Sequence, residues 1–250
     1  MIKLLLINFF MGFVAVAQPT VYMIGDSTMA NKKNPTENPE WGWGQALPYF
    51  LKENIKVANH AVNGRSSKSF IEEERWESVY SQLQEGDFVF IQFGHNDQKD
   101  QDPSRYTNPS TTYRQNLIRF VEETRSKKAI PVLMTSVVRR NFNAKGVLID
   151  THGLYPLIVH QLANQYNVPL VDMQSLSEKI ELAYGLEGSK KLHLHFEKGV
   201  SKYFPEGKED NTHYSKLGAH EIARAAVKNL NSQGLFMEYS NPTALGLSDF

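Results

Sequence analysis

Residues 21–28 read Val21-Tyr22-Met23-Ile24-Gly25-Asp26-Ser27-Thr28, an apolar run that suits a buried strand followed by a small, polar turn. The same pattern returns along the chain. Ile55 to Ala58, Phe88 to Phe93, Ile130 to Met134 and Val168 to Val171 are short runs rich in Val, Ile and Phe. Between them, Tyr113, Leu117, Phe120, Val121 and Thr124 fall on one helical face. Ile222, Ala226 and Leu230 repeat that spacing near the C-terminus, where Ser215 is placed to cap the helix. Strand alternating with helix predicts an α/β fold. Its mostly parallel five-stranded sheet is covered on both sides and reached through right-handed crossovers. Asn31 to Trp43 and Leu186 to Glu209 read as insertions over one end of that sheet.

Composition narrows the function classes. The 250 residues suit one large domain, and 41% hydrophobic content is enough for a sizeable core. Lys+Arg 27 against Asp+Glu 27 leaves no basic field to attract nucleic acid. The absence of cysteine excludes disulfides, thiolate metal sites, a cysteine nucleophile and a lipid-modified cysteine anchor. The N-terminus reads separately from the rest. Lys3 is a positive start, Leu4 to Val14 an apolar stretch, and Ala15-Val16-Ala17 a small-x-small cleavage site. Residues 1–17 are therefore expected to be a signal peptide cut after Ala17, which leaves a single domain over 18–250, secreted or periplasmic. A buried first strand or an uncleaved anchor is the alternative. The run falls short of the ~20 residues that a bilayer span needs, so no membrane anchor is expected after cleavage.

Ligands of open α/β sheets bind beyond the carboxyl ends of the strands. There the chain places Gly25-Asp26-Ser27-Thr28, Asn63-Gly64-Arg65-Ser66 and Gly94-His95-Asn96-Asp97. Just before the last helix it places Asp210-Asn211-Thr212-His213. A serine hydroxyl needs a base to take its proton, and His213 is the natural one. Asp210 can accept the other ring N–H and hold the tautomer. Attack on an ester carbonyl then creates an oxyanion, for which the backbone N–H groups of Ser27 and Gly64 and the side chain of Asn96 are candidate donors. Activity is expected to rise with pH through the ordinary imidazole range, near 6–7. Read singly, each residue has another reading. Ser27 suits a helix cap, Gly64 an ordinary turn, residues 94–97 a self-satisfied turn, and Asp210 with His213 a capping pair. What singles them out is their order at one rim.

At these residues the sequence resembles the SGNH (GDSL-type) hydrolase superfamily. Its four marker positions match Ser27, Gly64, Asn96 and His213, with Asp210 three residues before the histidine. Gly25-Asp26-Ser27-Thr28, with Thr28 where leucine is more usual, is similar to the rhamnogalacturonan acetylesterase branch. So are Trp41-Gly42-Trp43-Gly44, Gly64-Arg65-Ser66, Gly94-His95-Asn96-Asp97, and Asp210 to His213 followed by Gly218-Ala219. The resemblance implies a flavodoxin-like, three-layer α/β/α sandwich. It also implies removal of acetyl groups from a plant cell-wall polysaccharide with no metal or other cofactor. Relatives with very similar blocks act on acetylated xylan or other acyl esters.

No G-x-S-x-G, S-x-x-K, H-E-x-x-H, P-loop or G-x-G-x-x-G motif offers rival chemistry. Trp41, Trp43, Arg65 and His95 are candidate substrate contacts. The tryptophans equally suit core packing, Arg65 an ion pair, and His95 orientation of its loop. Arg139 and Arg140 suit an acidic galacturonate or a structural ion pair. His193 and His195 flank Leu194 as either a metal pair or ordinary surface histidines. The expectation is a monomeric carbohydrate acetylesterase acting on an acetylated polysaccharide or oligosaccharide. A lipid or thioester acylhydrolase and a non-catalytic carbohydrate-binding domain are the rivals.

Overall fold

The computed structural model describes residues 18–247; the expected signal peptide lies outside them. Among the described residues, eight strands run β1 Thr20–Gly25, β2 Glu40–Trp41, β3 Lys56–Asn59, β4 Phe88–Gln92, β5 Ile130–Met134, β6 Leu170–Val171, β7 His193–Phe196 and β8 Lys208–Ser215. The same residues form seven α-helices, α1 Trp43–Ala46, α2 Ser67–Glu72, α3 Arg75–Tyr80, α4 Arg114–Ser126, α5 Tyr155–Tyr166, α6 Met173–Gly188 and α7 Lys216–Ser232. Five strands form a parallel sheet in the order β3-β1-β4-β5-β6. The chain winds from β1 outward to β3, then returns across to β4, so the topology switches direction between β1 and β4.

Alternation along the strands builds the two cores. Val21 and Met23 of β1 and Phe88 and Phe90 of β4 pack on one face with Trp43 of α1 and Ile222, Ala226 and Leu230 of α7. Tyr22 and Ile24, with Val89 and Ile91, pack on the other with Phe70 of α2, Trp76 of α3, Leu117 and Phe120 of α4, and Leu162 of α5. A period of two thus feeds two hydrophobic layers, and the result is the expected α/β/α sandwich. The last helix begins as anticipated, with the Ser215 side chain accepting the Gly218 N–H at 3.2 Å.

A second, antiparallel sheet of order β2-β8-β7 was not foreseen. Its strands β2 and β7 lie in the two stretches that read as insertions, and β8 carries the Asp210–His213 block that precedes the last helix. β2 is two residues long, and along β8 only Tyr214 is buried, so neither carries an alternating apolar signal. Pairing across the sheet, not side-chain pattern, makes them strands.

Candidate active site

Ser27 sits on the turn leaving β1, at the switch point. The Asp26 carboxylate holds that turn by accepting the Thr28 N–H (2.9 Å) and hydroxyl (2.8 Å). The Thr28 hydroxyl in turn receives Gln92 Nε2 at 2.8 Å, and Gln92 Oε1 receives Trp43 Nε1 at 2.9 Å. Leucine at position 28 would lack the two bonds of this hydroxyl, to Asp26 and from Gln92. The Trp43 N–H also donates to the Thr28 carbonyl at 2.9 Å. A Cβ at Gly42 would stand 2.2 Å from the Ala30 carbonyl oxygen, so only glycine lets this segment press against the turn. The Ser27 turn is therefore braced from below.

His213 reaches the turn from β8. Its Nε2 lies 3.0 Å from Ser27 Oγ, and its Nδ1 lies 2.9 Å from Asp210 Oδ2. The other carboxylate oxygen, Oδ1, accepts the N–H groups of Thr212 (2.9 Å) and His213 (3.0 Å). This geometry exists because β8 is bulged. Against β7, His193 pairs with Tyr214 but Leu194 pairs with Asp210, so residues 211–213 are extruded from the ladder. Burial raises the Asp210 carboxyl, but the ring and backbone of His213 and the Thr212 N–H outweigh it and hold the group well below the usual carboxylate range. Asp210 thus stays ionised across the pH range in which imidazole titrates.

Gly64 adopts φ +76°, a left-handed conformation that side chains resist. Among the described residues, neither the Ser27 nor the Gly64 backbone N–H has an acceptor. Asn96 Nδ2 gives one hydrogen to the Arg65 carbonyl at 3.0 Å and keeps a second. Lys32, which sequence reasoning missed, locks these loops together. It is 7% exposed, and its ammonium donates to the Ser27 carbonyl (2.6 Å) and Asn63 Oδ1 (2.8 Å) while pairing with Glu40 at 2.7 Å. Burial lowers its pKa, against the opposing charge of Glu40. Nothing in the sequence marks it, since its partner Glu40 stands eight positions on with no helical or strand period to join them. A cleft of about 370 Å³ opens beside Gly64 between Arg65 and Arg105. Asn96→Ala is expected to lower kcat on p-nitrophenyl acetate by about 100- to 1,000-fold with little change in KM.

Beside Asn96, Asp97 is fully buried and accepts the Ser67 hydroxyl (2.5 Å) and the Thr107 hydroxyl (2.9 Å). Burial pushes its carboxyl up to about 6, against those hydrogen bonds. A group raised in the fold contributes fully below its unfolded value, ~4, and that contribution is lost as pH rises through about 6. Asp97→Asn is therefore expected to gain stability relative to the wild type between pH 4 and 7, as urea midpoints at both ends would show. A difference independent of pH would contradict it.

A sequence profile of the GDSL-like Lipase/Acylhydrolase family matches residues 21–226. The chain belongs to that family. Rhamnogalacturonan acetylesterase RhgT of Bacillus subtilis strain 168 is 40% identical over 215 residues, 86% of this chain and 90% of that protein. The probable rhamnogalacturonan acetylesterase YesY of the same strain is 37% identical, over 86% of this chain and 94% of that protein. The crystal structure of protein YXIM from Bacillus subtilis superposes with a TM-score of 0.72 at 26% identity, covering 88% of this chain and 58% of that one. Axe2, an acetylxylan esterase from Geobacillus stearothermophilus, shares the fold with a TM-score of 0.60 at 20% identity, covering 86% and 95%.

This acylhydrolase departs from several expectations about its periphery. Trp43 is 0% exposed, so it serves the core and the Gln92 bond and cannot meet a sugar. His95 is also buried, its ring 4.6 Å from that of His152 and its Nδ1 3.7 Å from Asp26 Oδ2, so it too is no surface contact. Burial, with His152 and Arg139 nearby, lowers its pKa well below the ordinary value and keeps it neutral. Trp41 is half-buried and pairs with Tyr214, next to His213, beside a cleft lined by Pro35, Pro39 and Lys216. Arg65 is half-buried, its Nε bonded to Glu73 at 3.0 Å. Arg139 donates to Thr151 Oγ1 at 2.8 Å. Arg140 is buried and donates to Ser189 Oγ (2.9 Å), Asn211 Oδ1 (3.1 Å) and the Leu186 carbonyl, which removes it from substrate. Both ring nitrogens of His193 are engaged, Nε2 by Glu181 and Nδ1 by the His213 carbonyl, so it offers none to a metal shared with His195. Among the described residues no helix is long and apolar enough to cross a membrane.

Proposed function

We propose that the protein is an exported serine esterase that removes acetyl groups from a plant cell-wall polysaccharide, rhamnogalacturonan foremost, and works as a monomer. The observation that carries the chemistry is the continuous chain from Ser27 Oγ through His213 to Asp210, at 3.0 and 2.9 Å. His213 Nε2 takes the hydroxyl proton as Oγ attacks the acetyl carbon. The N–H groups of Ser27, Gly64 and Asn96 receive the oxyanion. Collapse breaks the ester bond, and the sugar oxygen leaves with the proton held by His213. Water, deprotonated by the same nitrogen, then attacks the acetyl-Ser27 ester, releasing acetate and restoring the serine hydroxyl.

The polysaccharide assignment is supported by the 40% and 37% identity to the two Bacillus subtilis proteins over most of their length. Export is supported by Lys3, the apolar run after it and Ala15-Val16-Ala17. Acetate release from acetylated rhamnogalacturonan, homogalacturonan and xylan tests the substrate. The first is expected to be preferred, and a clear preference for xylan would overturn that choice. A clear preference for octanoyl over acetyl esters would favour a lipid acylhydrolase. Polysaccharide binding without acetate release would favour the non-catalytic reading.

A further inference from the structure

The bulge of residues 211–213, which follows Asp210 and carries His213, has lost its main-chain ladder, so its polar groups must find partners elsewhere. Arg140 supplies one anchor, its backbone N–H donating to the Asn211 carbonyl at 2.8 Å. A second anchor is a buried acid–imidazole pair. His193 of β7 is 2% exposed and Glu181 of α6 is 1% exposed, with Nε2 and Oε1 2.6 Å apart. The other ring nitrogen, Nδ1, lies 3.1 Å from the main-chain carbonyl oxygen of His213. A carbonyl only accepts, so Nδ1 carries a proton and the ring is oriented by Glu181 on its far side.

Burying such a pair is unfavourable compared with filling the same volume with apolar side chains, so stability alone gives it no reason to exist. Its contact gives one. From these distances we propose that Glu181 and His193 are positioning residues for the proposed esterase reaction, holding the His213 main chain so that Nε2 stays within proton-transfer reach of Ser27. The inference rests on the esterase reading for its kinetic consequence. Its structural consequence, the placement of His213, stands apart from that reading. A shift of about 1 Å in a reacting group costs on the order of 100-fold in rate.

The test uses the purified full chain and three variants, His193→Phe, His193→Asn and Glu181→Ala. His193→Phe removes the bond to the His213 carbonyl and is expected to lower kcat on p-nitrophenyl acetate by about 10- to 100-fold with KM unchanged. It is also expected to displace the low-field proton resonance of the His213–Asp210 hydrogen bond. His193→Asn, whose amide nitrogen lies near the former Nδ1, is expected to restore most of both. Wild-type kcat in folded His193→Phe overturns the proposal, as does folded His193→Asn that is equally impaired. If His193→Phe does not fold, Glu181→Ala decides: a roughly tenfold loss of kcat at constant KM supports it, and wild-type kcat overturns it. A wild-type chain without esterase activity defeats the esterase reading instead, and the resonance in the variants still reports whether His193 positions His213.

Discussion

Ser27→Ala is expected to lower kcat for acetyl ester hydrolysis by about five to six orders of magnitude while leaving the fold intact. The loss is large because Oγ supplies the bond-forming atom, and without it water must attack with no acyl-enzyme step. The fold survives because, among the described residues, Oγ bonds only His213 Nε2, whereas the Ser27 carbonyl that receives Lys32 belongs to the backbone. Asp26 and Thr28 continue to hold the turn through bonds in which residue 27 takes no part. A residual rate about 1,000-fold above water is expected from the oxyanion donors alone. Acetate release and thermal melting of the same samples check both halves, and equal turnover by the variant would end the serine mechanism.

Asp210→Asn is expected to lower kcat by about 10,000-fold, although it is nearly isosteric. The carboxylate accepts on both oxygens, from two backbone N–H groups at Oδ1 and from the ring at Oδ2. An asparagine has one acceptor and one donor. If its oxygen keeps the two N–H groups, its amide nitrogen faces His213 Nδ1 and drives the ring proton to Nε2. There it points at Ser27 Oγ and cannot accept the hydroxyl proton. If the amide flips, the bulge loses its internal support instead. Either orientation disables the base, and kcat/KM on p-nitrophenyl acetate measures it. A loss of less than tenfold would mean that Asp210 serves the bulge rather than the proton transfer.

Much of the site was legible because its residues lie next to signals that are strong in one dimension. Ser27 and Asn96 follow apolar strands at their carboxyl ends, and sheet topology alone sends such turns to one rim. Asp210 and His213 were visible as a pair three residues apart, while the β-bulge that aims them was not. A bulge is a mismatch between two strands, and no single segment of sequence contains it. Lys32 was invisible for a related reason. A lysine in a polar loop looks like solvated charge until the Ser27 carbonyl, Asn63 and Glu40 close around it.

The five parallel strands with the helices between them, and the candidates for nucleophile, base and oxyanion donors, were legible in the sequence itself. These depend on short-range periodicity and on which chemical groups follow each strand. Only the tertiary structure decided that Trp43 and His95 turn inward, that Arg140 braces Asn211, and that Glu181 and His193 meet beneath His213. Each of these depends on contacts between residues far apart in the chain. Burial and hydrogen-bond partnership are properties of such contacts, and residue type constrains them only weakly.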